Sequence, residues 1–137
     1  MKLTKEEVRT ELLKELSRPD WRANVLTQIL SDLDFRITIY NKTPAQIHSA
    51  VYWAAGVNTE LIMSKSRKDE VVIARDILFK YYRNKKLPLK VIGKKFNKDH
   101  ATVLNGLKRL QNDIDTNYHT TMDIIYRINE YFENEQR

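Results

Sequence analysis

Only three glycines and three prolines punctuate 137 residues, and between them apolar side chains recur three and four positions apart. Turns and strand bulges draw on Gly and Pro, whereas a 3.6-residue period lines positions i, i+3, i+4 and i+7 along one face. A chain so poor in breakers is therefore expected to be all-α, a helical bundle. The length suits one ordinary domain, enough to bury a core without cross-links.

Cysteine is absent, which excludes disulfides, thiolate metal sites and a thiol nucleophile. No apolar run approaches bilayer length, and the N-terminal stretch MKLTKEEVRTELLKEL is charged throughout, unlike a signal peptide. A cytoplasmic protein without a membrane partner is the expectation.

Local signals place the helices. Thr4-Lys5-Glu6-Glu7 has capping-box form and opens a first helix expected to reach about Leu16. After Pro19, the positions Trp21, Val25, Leu26, Ile29, Leu30, Leu33, Ile37 and Tyr40 make a wide stripe along a second helix. Turn residues at Asn41-Lys42 mark a boundary, dividing the chain into an N-terminal helical extension (1–42) and a second unit (43–137). Thr43-Pro44 starts a helix that closes at Gly56, with Ile47, Val51 and Trp53 as its apolar positions. VNTELIMSKSRK reads as a connection. A long helix from about Lys68 to Asn84 then turns Val71, Val72, Ala74, Ile77, Leu78 and Tyr81 inward. A short helix opens at Pro88 and ends near Phe96, Asp99 caps the next, from His100 to about Asp113, and a last one carries Met122, Ile125, Ile128 and Phe132.

The net charge of +6 is unevenly spread: residues 60–110 hold fourteen Lys and Arg against five Asp and Glu, whereas 111–137 hold two against six. Such a local excess attracts polyanions, nucleic acid before all; a solvated lysine-rich helical surface is the plainer alternative. The short helix, brief turn and capped helix around NKDHATVLNGLKRL have the outline of a helix-turn-helix, whose second helix lies in a major groove. At 100° per residue, Val103, Leu107 and Leu110 share one side, and Ala101, Thr102, Asn105, Lys108 and Arg109 the other. The outward set suits base edges, phosphates and a thymine methyl. Lys90, Lys94, Lys95 and Lys98 surround the turn, with Arg83, Lys85 and Lys86 just before it. Gly93 needs a compensating reason inside a helix, which close approach of the facing recognition helix would supply; a tolerated defect is the equal alternative.

From Ile47 to Phe132 the chain resembles the C-terminal DNA-binding domain of the bacterial replication initiator DnaA, of the Trp-repressor-like helix-turn-helix type. The matching pieces are QIHSAVYWAAGVNTELIMSKSRK, ARDILFKYYRNKKLPLKVIGKKF and KDHATVLNGLKRL, the Lys-Asp-His core being the most specific. The resemblance implies double-stranded DNA as partner. By position it implies that Arg67 enters a minor groove and that Asp99, His100 and Ala101, followed by Thr102, meet bases in the adjoining major groove. It also implies backbone contacts from Arg75, Arg83, Leu87, Pro88, Asn105 and Arg109; Lys65, Lys94, Lys98 and Lys108 join these as candidate backbone cations. Read without the family, Arg67 is a loop cation, Asp99 a helix cap and His100 a surface histidine. The sequence departs from the family at Ala101, where Ser or Thr is usual, at Gly106, where Ser or Ala is usual, and in a turn one residue shorter, with Asn97-Lys98 in place of Gly-Gly-Arg.

Glycines only at 56, 93 and 106 cannot form a phosphate-cradling loop, so no ATPase is expected of this chain. His48, His100 and His119 lack helical zinc-ligand spacing, and no catalytic set is apparent; neither cofactor, metal nor enzyme activity is expected. Trp53, Tyr81 and Tyr82 are taken as core or core-edge residues rather than base-stacking ones. The function expected is sequence-preferring duplex binding in replication initiation, its control, or transcription. The alternative is a protein-interaction module that regulates or competes with a replication initiator. The stripe in residues 1–42 is expected to fold on the rest of the chain, with a homodimer or docking on a replication protein as the other options.

Overall fold

The computed structural model describes residues 4–9 and 41–135. Residues 5–9 are helical, and the amide of Glu7 donates to Thr4 Oγ1 at 3.1 Å, the cap expected there. The rest of the first predicted helix, the stripe from Trp21 to Tyr40 and the dimer surface suggested for residues 1–42 lie outside the described residues.

From Asn41 onward the described residues are all-helical: α1 Pro44–Ala55, α2 Thr59–Met63, α3 Asp69–Asn84, α4 Leu89–Lys95, α5 His100–Asp115 and α6 His119–Glu135. Several boundaries have a local chemical cause. Thr43 Oγ1 accepts from the Gln46 amide while the Gln46 side chain accepts from the Thr43 amide, and Pro44 fills the first turn. Gly56 ends α1 at φ 68°, the left-handed turn that costs glycine nothing. VNTELIMSKSRK is not wholly a connection, because Asn58 caps α2 by accepting from the Leu61 amide at 2.9 Å. That single turn is too short to show an apolar period, which is why periodicity passes over it.

The axis of the domain is α3, which packs on each of the other five helices. From Val71 to Phe79 every residue but Val72 is buried, so this helix is enclosed rather than one-sided, and the expected inward set was too small. Ile47, Ala50, Val51 and Ala54 of α1 meet it together with Ile92, Phe96, Val103, Leu110, Ile124, Ile128 and Phe132. Each fully buried Ile, Leu or Phe contributes roughly 1.5–3 kcal/mol relative to exposure.

Trp53 is not part of that core. It is 54% exposed, because the buried face of α1 runs through positions 47, 50, 51 and 54, and small alanines there allow α3 and α6 to approach. The indole lies instead against Tyr131, ring centres 5.7 Å apart. Tyr81 and Tyr82 are buried as expected. The predicted boundary at Asn41-Lys42 is tied down: Lys42 O accepts from Tyr81 Oη at 2.6 Å, and its ammonium sits 4.6 Å from the Phe132 ring centre.

A candidate nucleic-acid interface

Helices α4 and α5, joined by Phe96–Asp99, form the helix-turn-helix. Asn97 takes the left-handed conformation at φ 56°, which Asn tolerates better than most L residues, so the shortened turn closes without the usual glycines. Lys98 N then donates to Gly93 O at 2.8 Å. This explains Gly93: a Cβ there would collide with the Lys98 carbonyl oxygen. Close approach is indeed the reason for glycine, but by the backbone of the turn and not by the face of the recognition helix.

Asp99 caps α5, Oδ1 accepting from the Thr102 amide at 2.8 Å and from the Thr102 hydroxyl at 2.7 Å. These two bonds hold the Asp99 carboxyl below the usual aspartate range. Asp99, His100 and Ala101 are all exposed, so the first turn of α5 offers an acceptor, an imidazole and a methyl to whatever lies against it. Thr102 is half-buried with its hydroxyl proton committed to Asp99, which makes it a support of the cap before it is a reader.

Farther along α5, Asn105, Lys108 and Arg109 are exposed as expected, and Val103 and Leu110 buried, while Leu107 is half-buried. Arg109 is not free on that face. Its Nε donates to Asp76 Oδ2 at 2.8 Å and its Nη2 to Oδ1 at 3.0 Å, a bidentate bond from a half-exposed guanidinium to an enclosed carboxylate. Burial pushes Asp76 up to about 6, against the pull of Arg109, whereas the same bond raises Arg109. The carboxyl bears the desolvation and the guanidinium keeps its water, so the pair is ionised at neutral pH. Gly106 is what admits Asp76: a Cβ at 106 would stand 2.5 Å from Asp76 Oδ1 and 2.9 Å from Phe79 Cδ2.

Arg75 also differs from expectation. It is 7% exposed, and its guanidinium donates to four carbonyls: Ile62 from Nε at 2.9 Å, Ser66 from Nη1 at 3.3 Å, and Leu61 and Ser64 from Nη2 at 3.3 and 3.0 Å. A side chain so committed inside the protein fastens the end of α2 and the following loop instead of facing a phosphate. Lys98 is half-buried and donates from Nζ to the Ser64 carbonyl at 2.6 Å. Burial, then the neighbouring Arg75 and Lys65 cations, hold its ammonium below the ordinary lysine value. The remaining candidates are where a polyanion can reach them. Lys65, Arg67, Arg83, Pro88, Lys94 and Lys108 are exposed, and Leu87 is half-buried with its carbonyl accepting from Arg83 Nη1 at 3.0 Å.

Asp76 was missed by the sequence reading, although a visible signal existed: Arg75-Asp76 is a charged pair inside VVIARDILF, where apolar neighbours on both sides imply that both charges are enclosed. The histidines stay apart. His48 is bonded on Nδ1 to Tyr52 Oη and on Nε2 to Tyr82 Oη, both at 2.8 Å, and stacks on Phe96; burial and Lys95 hold it below its ordinary value.

An enclosed axial helix, a capped second helix with its first turn exposed, and cations around the turn define a helical DNA-binding module of the helix-turn-helix class. Residues 44–110 match the family described as Bacterial dnaA protein helix-turn-helix. Among relatives, the chain is similar to the Chromosomal replication initiator protein DnaA 2 of Protochlamydia amoebophila (strain UWE25), 32% identical over 74 residues, covering 53% of this chain and 16% of that protein. It is 37% identical over 59 residues to the Chromosomal replication initiator protein DnaA of Oleidesulfovibrio alaskensis (strain ATCC BAA-1058 / DSM 17464 / G20), covering 42% and 13%. The Chromosomal replication initiator protein DnaA 1 of Chlamydia pneumoniae is 33% identical over 79 residues, covering 56% and 17%. The chain thus spans less than a fifth of the length of these relatives. No solved structure matches.

Proposed function

We propose that this protein binds double-stranded DNA with sequence preference, in replication initiation, its control, or transcription, and that residues 43–137 act as the binding domain. Asp99, His100 and Ala101 at the start of α5 meet base edges in the major groove. Arg67, in the loop before α3, enters the neighbouring minor groove, and Lys65, Arg83, Leu87, Pro88, Lys94, Asn105 and Lys108 line the phosphates. The observation that carries this reading is the exposed first turn of α5 together with the exposed cations Arg67, Lys65, Lys94 and Lys108. A methyl at Ala101 without the usual hydroxyl suits a thymine contact better than a hydrogen-bonded one. A binder of this kind needs no cofactor, and the glycines at 56, 93 and 106 leave it no phosphate loop for ATP.

The test is enrichment of a random duplex library on the purified protein, followed by fluorescence anisotropy of the selected and a scrambled duplex across a salt series. Preference for the selected duplex near physiological salt is the expected result. Arg67→Ala should then cost of order 1–3 kcal/mol on the selected duplex and relax preference, whereas Lys94→Ala should weaken both duplexes alike and lower the salt slope by about one. Equal, salt-labile binding of every duplex by the unaltered chain would sink the proposal.

A further inference from the structure

The Ser64 carbonyl oxygen receives two cations from two different elements. One is Arg75 Nη2 at 3.0 Å, from the axial helix α3; the other is Lys98 Nζ at 2.6 Å, from the turn that precedes the recognition helix. Ser64 begins the loop that carries Lys65 and Arg67, and Lys98 immediately precedes the Asp99 cap of α5. A single backbone oxygen therefore joins the loop of the candidate minor-groove residue to the turn of the candidate major-groove residues.

The loop is also made stiff from within. Ser66 N donates to Ser64 Oγ at 3.1 Å, Lys68 N to Ser66 Oγ at 3.3 Å, and Ser64 Oγ itself to Leu61 O at 2.6 Å. Short hydroxyl-to-backbone bonds of this kind hold turns in place of helix bonds. Of the other bonds of Arg75, the one to Ile62 satisfies a carbonyl at the end of the five-residue helix α2, and those to Leu61 and Ser66 tie the same guanidinium to the last turn and to the loop beyond it. Between them, Arg75 and Lys98 leave this loop little freedom to shift against α5.

We infer that Arg75 and Lys98 are positioning residues for sequence selectivity, holding the Arg67 loop at a set offset from the first turn of α5 through the Ser64 carbonyl, and not phosphate ligands. The inference rests on the DNA-binding reading above. Reading two adjacent grooves at once requires that the two reading elements keep one spacing; a loop that wanders by an ångström or two pays its ordering cost on binding. Ordering costs fall on the selected duplex, where both elements engage, and leave non-specific backbone binding unchanged. A phosphate ligand behaves in the opposite way, weakening every duplex and lowering the salt slope.

The experiment compares Lys98→Met with Lys94→Met, an exposed lysine of the same region, on the selected and scrambled duplexes across the salt series. Lys94→Met should lower the salt slope by about 0.9 and weaken both duplexes equally. Lys98→Met should leave the slope within about half of that and weaken the selected duplex alone, roughly tenfold. In the Lys98→Met background, Arg67→Ala should cost less than in the unaltered chain, because a loop no longer held has less to lose. Amide exchange of Ser66 to Lys68 in the free protein, read by NMR, should quicken in Lys98→Met while the amides of α3 keep their protection. A Lys98→Met variant that copies Lys94→Met, or strictly additive losses with Arg67→Ala, overturns the inference. The amide arm separates the two readings: a chain that selects no duplex but whose loop amides respond to Lys98→Met defeats the DNA-binding reading and leaves the strut, whereas unresponsive amides defeat the strut itself. Should Arg75→Ala fail to fold, Arg75→Lys supplies the second variant, since lysine keeps the charge and cannot span four carbonyls.

Discussion

Replacing Gly106 by alanine sets two physical effects against each other, and the structure decides which wins. In an exposed helix interior the change is favourable by about 1 kcal/mol. Here the added Cβ would lie 2.5 Å from Asp76 Oδ1 and 2.9 and 3.1 Å from Phe79 Cδ2 and Cε2, where ordinary contact begins at 3.4 Å. Neither neighbour yields cheaply. Asp76 is held at both oxygens by Arg109, and Phe79 is 0% exposed with its ring edge-on to Phe96. Relief needs α3 and α5 to separate by several tenths of an ångström, an overpacking cost of about 1–3 kcal/mol, with about 1 kcal/mol more for a bent or broken Asp76–Arg109 bond. Subtracting the propensity gain leaves a net loss of about 1–3 kcal/mol. Urea denaturation should show a lower midpoint at unchanged m, and thermal melting a fall of roughly 4–8 °C per kcal/mol for a domain of this size. Asn112→Ala, on the exposed side of the same helix, should instead be neutral or stabilising by about 0.5 kcal/mol. A Gly106→Ala chain as stable as the unaltered one would refute the argument that a buried carboxylate requires the glycine.

Asp76 itself predicts a pH dependence. Its folded value is raised to about 6 from 3.8, so the folded state takes up this proton first, and its contribution to stability is full below 3.8 and lost as pH rises through about 6. Melting of the unaltered chain minus that of Asp76→Asn should therefore grow by on the order of 2–3 kcal/mol between pH 7 and pH 4; a flat difference would contradict the assignment. His48 runs the other way: lowered from 6.5 by burial, it contributes stability above that value which is lost as pH falls, so His48→Gln should melt with less loss between pH 7 and 5 than the unaltered chain. Lys86 holds φ 68°, a left-handed conformation that strains a lysine, and Lys86→Gly should raise the unfolding free energy by about 0.5–1 kcal/mol in urea titration. Asp99→Ala removes both bonds to Thr102, so it should lower the thermal midpoint above pH 4, the difference vanishing at lower pH as the carboxyl of the unaltered chain is protonated.

Helix identity and helix ends were written locally and were therefore legible. Thr43 and Asp99 cap through their own side chains, Gly56 turns because it lacks a Cβ, and the apolar period of α5 and α6 follows from helix geometry alone; α2, capped by Asn58, is a single turn without a period and was not read. The helix-turn-helix outline, and with it the match over residues 44–110, was legible for the same reason. Less visible was which side of a helix is covered, since that depends on how many neighbours it has. Val71 to Phe79 reads as a one-sided pattern until five helices enclose it, and Trp53 reads as core until alanines at 50 and 54 prove to be the contact.

Charge was the least legible property. A sequence states that Arg75, Lys98 and Arg109 are cations, and by composition that a basic stretch attracts a polyanion. It does not state which cations the protein uses on itself. Only the packing of α3 between α2 and α5 turns Arg75 to four carbonyls, brings Lys98 to the oxygen of Ser64, thirty-four positions earlier, and pairs Arg109 with Asp76 across thirty-three. Contacts of that separation obey no local period, and a guanidinium or ammonium goes wherever an enclosed acceptor would otherwise be left unpaired. The class of fold and the class of partner thus reside in local pattern and composition, whereas the division of the basic residues between outward cations and internal struts belongs to the tertiary structure.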